Sequence, residues 1–232
     1  MATPRKTRSQ GPAEAIDLDH PNGKGSGTEW LNVESELAFY ASYHSNIINK
    51  AIHLICIPLI YWSSLILLAH LPIPGFNTVV LARYLAFQPS AALILATVYQ
   101  AYYIALEPIG GLAYLPWTSI LYLTATYIRA FPPTWLPYRN ASGFGDTPTA
   151  VPFGIIVEVF SWGMQFVGHG VFEKRAPALL DNLVQALVLA PFFVHLELLF
   201  ALFNYKPDLH KKITNKAGVR IRDMNRAAKL KQ

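Results

Sequence analysis

The sequence predicts an all-α fold: a polytopic helical membrane protein with four to five hydrophobic helical segments and a short amphipathic helix before the first. Composition is the first indication. Hydrophobic residues make up 53% of the 232-residue chain and charged residues only 14%, a shift from the soluble balance toward membrane proteins. The placement of charge is the second. No Asp, Glu, Lys or Arg lies between Lys50 and Arg83, between Arg83 and Glu107, or from Pro108 to Ile128. Each interval reaches the roughly 20 apolar residues that a bilayer core requires. Third, the basic excess gathers after the last apolar segment, at Lys206, Lys211, Lys212, Lys216, Arg220, Arg222, Arg226, Lys229 and Lys231. Lys and Arg flanking a membrane segment mark its cytosolic side, which argues against a nucleic-acid partner.

Residues 1–30 carry basic residues with no apolar run behind them, so no cleavable signal peptide is expected. Their Gly, Pro, Ser and charge content cannot bury enough surface to offset ordering, and they read as a disordered tail. "WLNVESELAFYASYH" follows as a short amphipathic helix with Leu37, Tyr40, Ala41 and His44 on one face. "SNIIN" supplies cap or turn residues, and a second helix is expected from about Asn49 through "AIHLICIPLIYWSSLILLAHL". On one continuous helix His44 and His53 would face opposite sides, so a corner is expected between them.

Pro72, Pro74 and Gly75 end the first span, and "NTVVLARYLAFQPS" leads to the second, "AALILATVYQAYYIAL". "EPIGG" reads as a tight turn into the third, "LAYLPWTSILYLTATYI". Residues 131–149 are rich in Pro, Gly and aromatics and read as an interfacial loop. The fourth apolar stretch, "AVPFGIIVEVFSWGMQFVGHGVF", is interrupted by Glu158. The fifth holds Pro191 near its middle, where a break or kink is expected.

A cytosolic N-terminus would place the loop at 131–149, with its Asn140-Ala141-Ser142 acceptor pattern, in the lumen. The fourth span would then return to the cytosolic face near His169, where His44 and His53 also lie. A cytosolic C-terminus requires the fifth stretch to begin and finish on one side. The expected organisation is a tail at 1–30, a helical membrane catalytic domain at 31–205 and a basic cytosolic tail at 206–232.

Ionisable residues inside apolar segments are costly and mark functional sites. A single histidine on an apolar face is more often a hydrogen-bonded core residue, but His44, His53 and His169 are expected at one end of the bundle. His169 and Glu173 are four apart and would be neighbours on one helix face, with Trp162 and Phe166 on the same stripe. Imidazole and carboxylate suit non-haem iron, with zinc as the competitor. Cys56 is the lone cysteine, so no intrachain disulfide can form. His70 belongs to the far end of the first span, and His20 and His210 read as solvated.

"FYASYHSNIINKAIHLICIP" and "QFVGHGVFEKRAPALLDNLVQALVLAP" resemble the fungal 2-hydroxy fatty acid dioxygenases of phytosphingosine degradation, the Mpo-type proteins of the endoplasmic reticulum. The resemblance runs from about Leu31 to Lys206. It implies an Fe(2+)-dependent enzyme that shortens a 2-hydroxy fatty acid by one carbon using molecular oxygen, with membrane lipid around it. By motif, the metal ligands it implies are His44, His53 and His169. The chain departs from the family at His195, where an apolar residue is expected, and in a longer loop at 131–149.

Several roles stay open at this level. Glu173 is a fourth ligand or an orienting partner for a ligand histidine. Lys174 and Arg175 hold the substrate carboxylate or reach to lipid phosphates. Asp181 and Asn182 orient a ligand or cap the next helix. A di-iron hydroxylase is disfavoured by the lack of clustered histidine boxes. A zinc hydrolase is disfavoured by the lack of HExxH. A membrane scaffold or transporter would use the same charges as a structural network, and no internal repeat supports it.

Overall fold

The structure, a computed structural model, describes residues 31–174 and 183–230. Arg175, Asp181, Asn182, His20 and the tail expected to be disordered lie outside the described residues. Helix α1 (Val33–Ser42) is capped by Asn32, whose side chain accepts from Ser35 N at 3.1 Å. The expected corner follows at residues 43–46. Asn46 then caps α2 (Ile47–Ala69), accepting from Ile48 N at 2.8 Å and Asn49 N at 3.3 Å.

One element departs from the all-α expectation. Val79–Ala82 (β1) and Leu85–Phe87 (β2) form an antiparallel hairpin, pairing Val79 with Phe87 and Val80 with Ala86. The β-branched pair Val79-Val80 favours extended backbone. Tyr84 makes the turn with φ 67°, in the left-handed region. Ala86 is buried, and the hairpin is fastened where the Tyr122 hydroxyl donates to Gln88 O at 2.6 Å.

Helices α3 (Ala91–Leu106) and α4 (Pro108–Ala130) form an antiparallel pair around a one-residue corner. A side chain at Gly111 would collide with the backbone of Tyr103 and Ile104, so this "GG" turn depends on glycine. Glu107 caps α4 by accepting from Gly110 N at 2.6 Å. The same carboxylate accepts from the Tyr205 hydroxyl at 2.6 Å and from Lys206 Nζ at 2.6 Å. Burial pushes the Glu107 carboxyl up, but these donors outweigh it and hold the group below its ordinary value.

After the loop at 131–150, α5 (Val151–Val167) runs beside α2 and passes into a π-helical turn at Gly168–Glu173. Helix α6 (Leu183–Phe203) continues through Pro191, so of the break or kink expected there the break is not present. The Leu187 carbonyl forgoes its helical partner at that point, a loss that surrounding packing offsets. Helix α7 (Pro207–Leu230) turns the basic end into an amphipathic helix against α1, with Lys212 and Lys216 paired to Glu34 at 3.1 and 2.9 Å. His210, expected to be solvated, stacks on Phe200 with centroids 4.5 Å apart.

The bundle therefore has two ends. His70 meets Thr149 at one, where the hairpin and the 131–149 loop also gather. At the other, α6 lies against α1, α2 and the start of α4. There Phe193 touches Tyr40 and His44, Glu197 pairs with Lys50 at 3.2 Å, and Tyr205 reaches Glu107. One buried cluster surrounds Leu37, Tyr103 and Phe192, and a second surrounds Tyr61, Leu65 and Tyr122.

Ile47–Ala69 and Val151–Glu173 are long and apolar enough to cross a membrane. Helix α3 and the apolar part of α6 are shorter, so four to five spans exceed what length and hydropathy support. The outer face of α5 exposes Ile155, Ile156, Val159 and Phe160, a contiguous apolar band of the kind that meets lipid.

Candidate metal centre

His44 lies in the corner just after α1, His53 sits in the second turn of α2, and His169 in the π turn. They are 3%, 5% and 4% exposed, and one ring nitrogen from each lies within 4.8 Å of the others. Ring centroids are 4.3 Å apart for His44 and His53 and 4.9 Å for each of these with His169.

The tautomers follow from the backbone. His44 Nδ1 lies 2.7 Å from Tyr40 O and His53 Nδ1 lies 2.9 Å from Asn49 O. A carbonyl only accepts, so both Nδ1 atoms carry the proton and both Nε2 lone pairs are free. His44 Nε2 and His169 Nδ1 are buried with no partner. Burial, with His53 close by, holds His44 well below its ordinary pKa, so its ring is neutral, as a ligand must be. Tyr40 stacks on His44 at 4.1 Å with an interplanar angle of 9° and fixes the ring plane. Among the described residues, this three-histidine group could hold a metal ion.

Glu173 lies at the end of the π turn, four residues after His169. His169 faces the histidines, while Glu173 faces the start of α2. Its carboxylate accepts from Ser45 N at 3.0 Å, Asn46 N at 2.9 Å and Asn49 Nδ2 at 3.2 Å, and from the Ser45 hydroxyl. An anion at a helix N-terminus satisfies free N–H groups and complements the helix dipole. Glu173 thus fixes the corner carrying His44 and the residue whose carbonyl orients His53. A Cβ on Gly168 would run into Asn49 Oδ1, so glycine there lets the π turn come this close to α2.

Lys174 follows with φ 54° and is exposed. His195, set apart in the sequence, packs its ring 5.0 Å from Tyr114 and is not in the three-histidine group.

Beside the histidines a cavity of about 290 Å³ extends between α2 and α5. Ile57, Ile60, Tyr61 and Ser64 line it from α2, and Glu158, Trp162, Gln165 and Phe166 from α5. Leu95 and Tyr99 of α3 and Pro191 of α6 complete its wall. Gln165 Nε2 and the Tyr61 hydroxyl are buried in this lining without partners. A buried donor without a partner is expensive, so these atoms are candidates to meet a ligand. The sequence reading missed both. Gln165 lies four residues before His169, on the stripe already marked by Trp162 and Phe166, and that position was its signal.

Three buried imidazoles that could hold a metal ion thus open on a largely apolar slot. Residues 31–202 match the family model described as 2-hydroxy-palmitic acid dioxygenase Mpo1-like, and the chain belongs to that family. It is 32% identical over 199 residues to the 2-hydroxy-palmitic acid dioxygenase MPO1 of Saccharomyces cerevisiae, covering 85% of this chain and 97% of that protein. No solved structure matches.

Proposed function

We propose that this protein is an iron(II)-dependent dioxygenase that shortens 2-hydroxy long-chain fatty acids by one carbon. The setting proposed is phytosphingosine degradation at the endoplasmic reticulum membrane, with both termini cytosolic. The observation that carries the reading is the set of three buried histidines, two of them with unpartnered ring nitrogens, at the end of a largely apolar cavity. The dioxygenase activity named for the yeast relative supports it.

His44, His53 and His169 would hold the metal, leaving positions open for the carboxylate and hydroxyl of a 2-hydroxy acid and for oxygen. Iron(II), when bound, supplies the redox chemistry that lets oxygen react with the substrate. The overall change balances as RCH(OH)COOH plus O2 giving RCOOH, carbon dioxide and water. The chain's own residues do the rest. Tyr40 O and Asn49 O hold two imidazoles in the ligating tautomer, and Glu173 holds the corner that presents them. The Gln165 amide and Tyr61 hydroxyl offer the substrate head its polar contacts inside the slot. Lys174, exposed beyond the π turn, serves the surrounding phosphates. Apolar walls exclude water and take the acyl chain.

A zinc hydrolase could use the same three nitrogens, so the deciding experiment is metal analysis followed by anaerobic reconstitution. Iron(II) should restore oxygen uptake coupled to loss of a 2-hydroxy long-chain acid, and zinc should not. Equal turnover with zinc, without oxygen uptake, would replace the oxygenase reading with the hydrolytic one.

A further inference from the structure

Glu158 is a carboxylate in the interior of a helix apolar enough to cross a membrane, and binding the metal gives it no task. Its side chain turns away from the exposed band of α5 and into the cavity shared with the histidines. Three neutral donors hold it. Trp162 Nε1 donates at 3.0 Å, Ser64 Oγ lies at 3.3 Å, and Ser63 donates from the facing side of α2. No cation pairs with it among the described residues. A simple tie between α2 and α5 would need only a hydroxyl or an amide. A carboxylate adds a desolvation cost that demands a further reason.

Position supplies that reason. Glu158 precedes His169 by eleven residues along α5 and the start of the π turn, and Ser64 follows His53 by eleven on α2. Eleven residues complete about three turns, so both pairs share a face, and they rise roughly 16 Å. Two helices therefore place the serine–glutamate group at one level, the same distance from the histidines. Between these levels the lining includes Ile57, Ile60, Trp162 and Phe166. Apart from the Gln165 amide and the Tyr61 hydroxyl, the slot between these levels is mostly apolar, and a carboxylate stands at its far end.

We propose that Glu158, held by Ser63, Ser64 and Trp162, closes the acyl slot and sets the longest 2-hydroxy acid the site accepts. The inference rests on the function proposed above and adds its chain-length rule. With the head at the histidines, an extended chain of roughly a dozen methylenes spans the 16 Å to the carboxylate. A longer chain must press methylenes against a charged group or leave the slot, forfeiting burial that amounts to about tenfold in binding for each pair of methylenes.

The test compares wild type, Glu158→Ala and Ser64→Leu over saturated 2-hydroxy acids from 10 to 24 carbons. Glu158→Ala opens the end, and Ser64→Leu fills it from the opposite helix. Two readouts are taken: equilibrium binding of the radiolabelled acids to metal-free protein in nanodiscs, and relative kcat/KM after loading with iron(II). Glu158→Ala should move the preferred length up by two or more carbons in both. Ser64→Leu should move it down by a similar amount, with about a tenfold loss for acids at the wild-type optimum. Unchanged length profiles in both folded variants would overturn the chain-length rule and leave the proposed activity standing. Failure of iron-loaded wild type to turn over any 2-hydroxy acid would overturn the activity itself, and the rule with it.

Discussion

Replacing Glu173 by alanine separates a carboxylate that positions the metal centre from one that belongs to it. In the structure the side chain accepts from Ser45 N, Asn46 N and Asn49 Nδ2 at 2.9–3.2 Å while 8% exposed. Leaving three donors without this acceptor costs about 1 kcal/mol each, so the variant should lose about 3 kcal/mol. For a chain of this size, that lowers the thermal midpoint by roughly 6–12 °C. The corner bearing His44 and the Asn49 carbonyl behind His53 both lose their anchor, so metal affinity should fall about 10–100-fold. The assay is anaerobic titration with cobalt(II) in detergent, read from the ligand-field spectrum, alongside thermal unfolding of the metal-free protein. Glu173→Gln keeps one acceptor oxygen and should fall between. A stability loss with wild-type metal affinity would refute the positioning role. A changed cobalt spectrum in saturated Glu173→Gln would show that the carboxylate is itself a ligand.

Each of His44→Ala, His53→Ala and His169→Ala should abolish turnover and leave purified protein with less than a tenth of the wild-type iron, whereas His195→Ala should keep most of both; retained iron in His169→Ala would break the assignment. Gln165→Leu should raise KM for 2-hydroxy acids about tenfold with iron content unchanged, whereas Lys174→Ala should change it less than threefold. The opposite ranking would return the cation to the substrate head. Glu107 is held below its ordinary value of 4.5, so its stabilising contribution is complete above that pH and disappears as pH falls through the lowered folded value. The midpoint difference between wild type and Glu107→Gln should therefore shrink between pH 6 and 3; a constant difference would show that the carboxylate's charge is irrelevant.

Much of the histidine geometry was legible because it depends on periodicity. The amphipathic spacing of Leu37, Tyr40 and His44, and the "SNIIN" corner, put His44 and His53 at one end before any coordinate is known. The role of Glu173 stays open in the sequence, as fourth ligand or orienting partner, because nothing in "GHGVFE" announces the π turn or the bonds to Ser45, Asn46 and Asn49. Pro191 does not break its helix. A proline removes one hydrogen bond, and α6, packed against α1 and α2, continues through it. The hairpin at Val79–Phe87 was visible in its β-branched residues but was passed over as a connection between apolar segments. Gln165 and Tyr61 were not distinctive as types; only their lack of partners inside the cavity distinguishes them.

The packing of α5 along α2 fixes when the centre can exist. His44 and His53 leave the ribosome with the first helices, while His169 is more than a hundred residues further along the chain. Its place depends on the glycine contact at Asn49 and the grip of Glu173 on the corner. A chain that has formed only its early helices offers two of the three imidazoles, so the group that could hold a metal ion is complete only once the π turn has closed on α2.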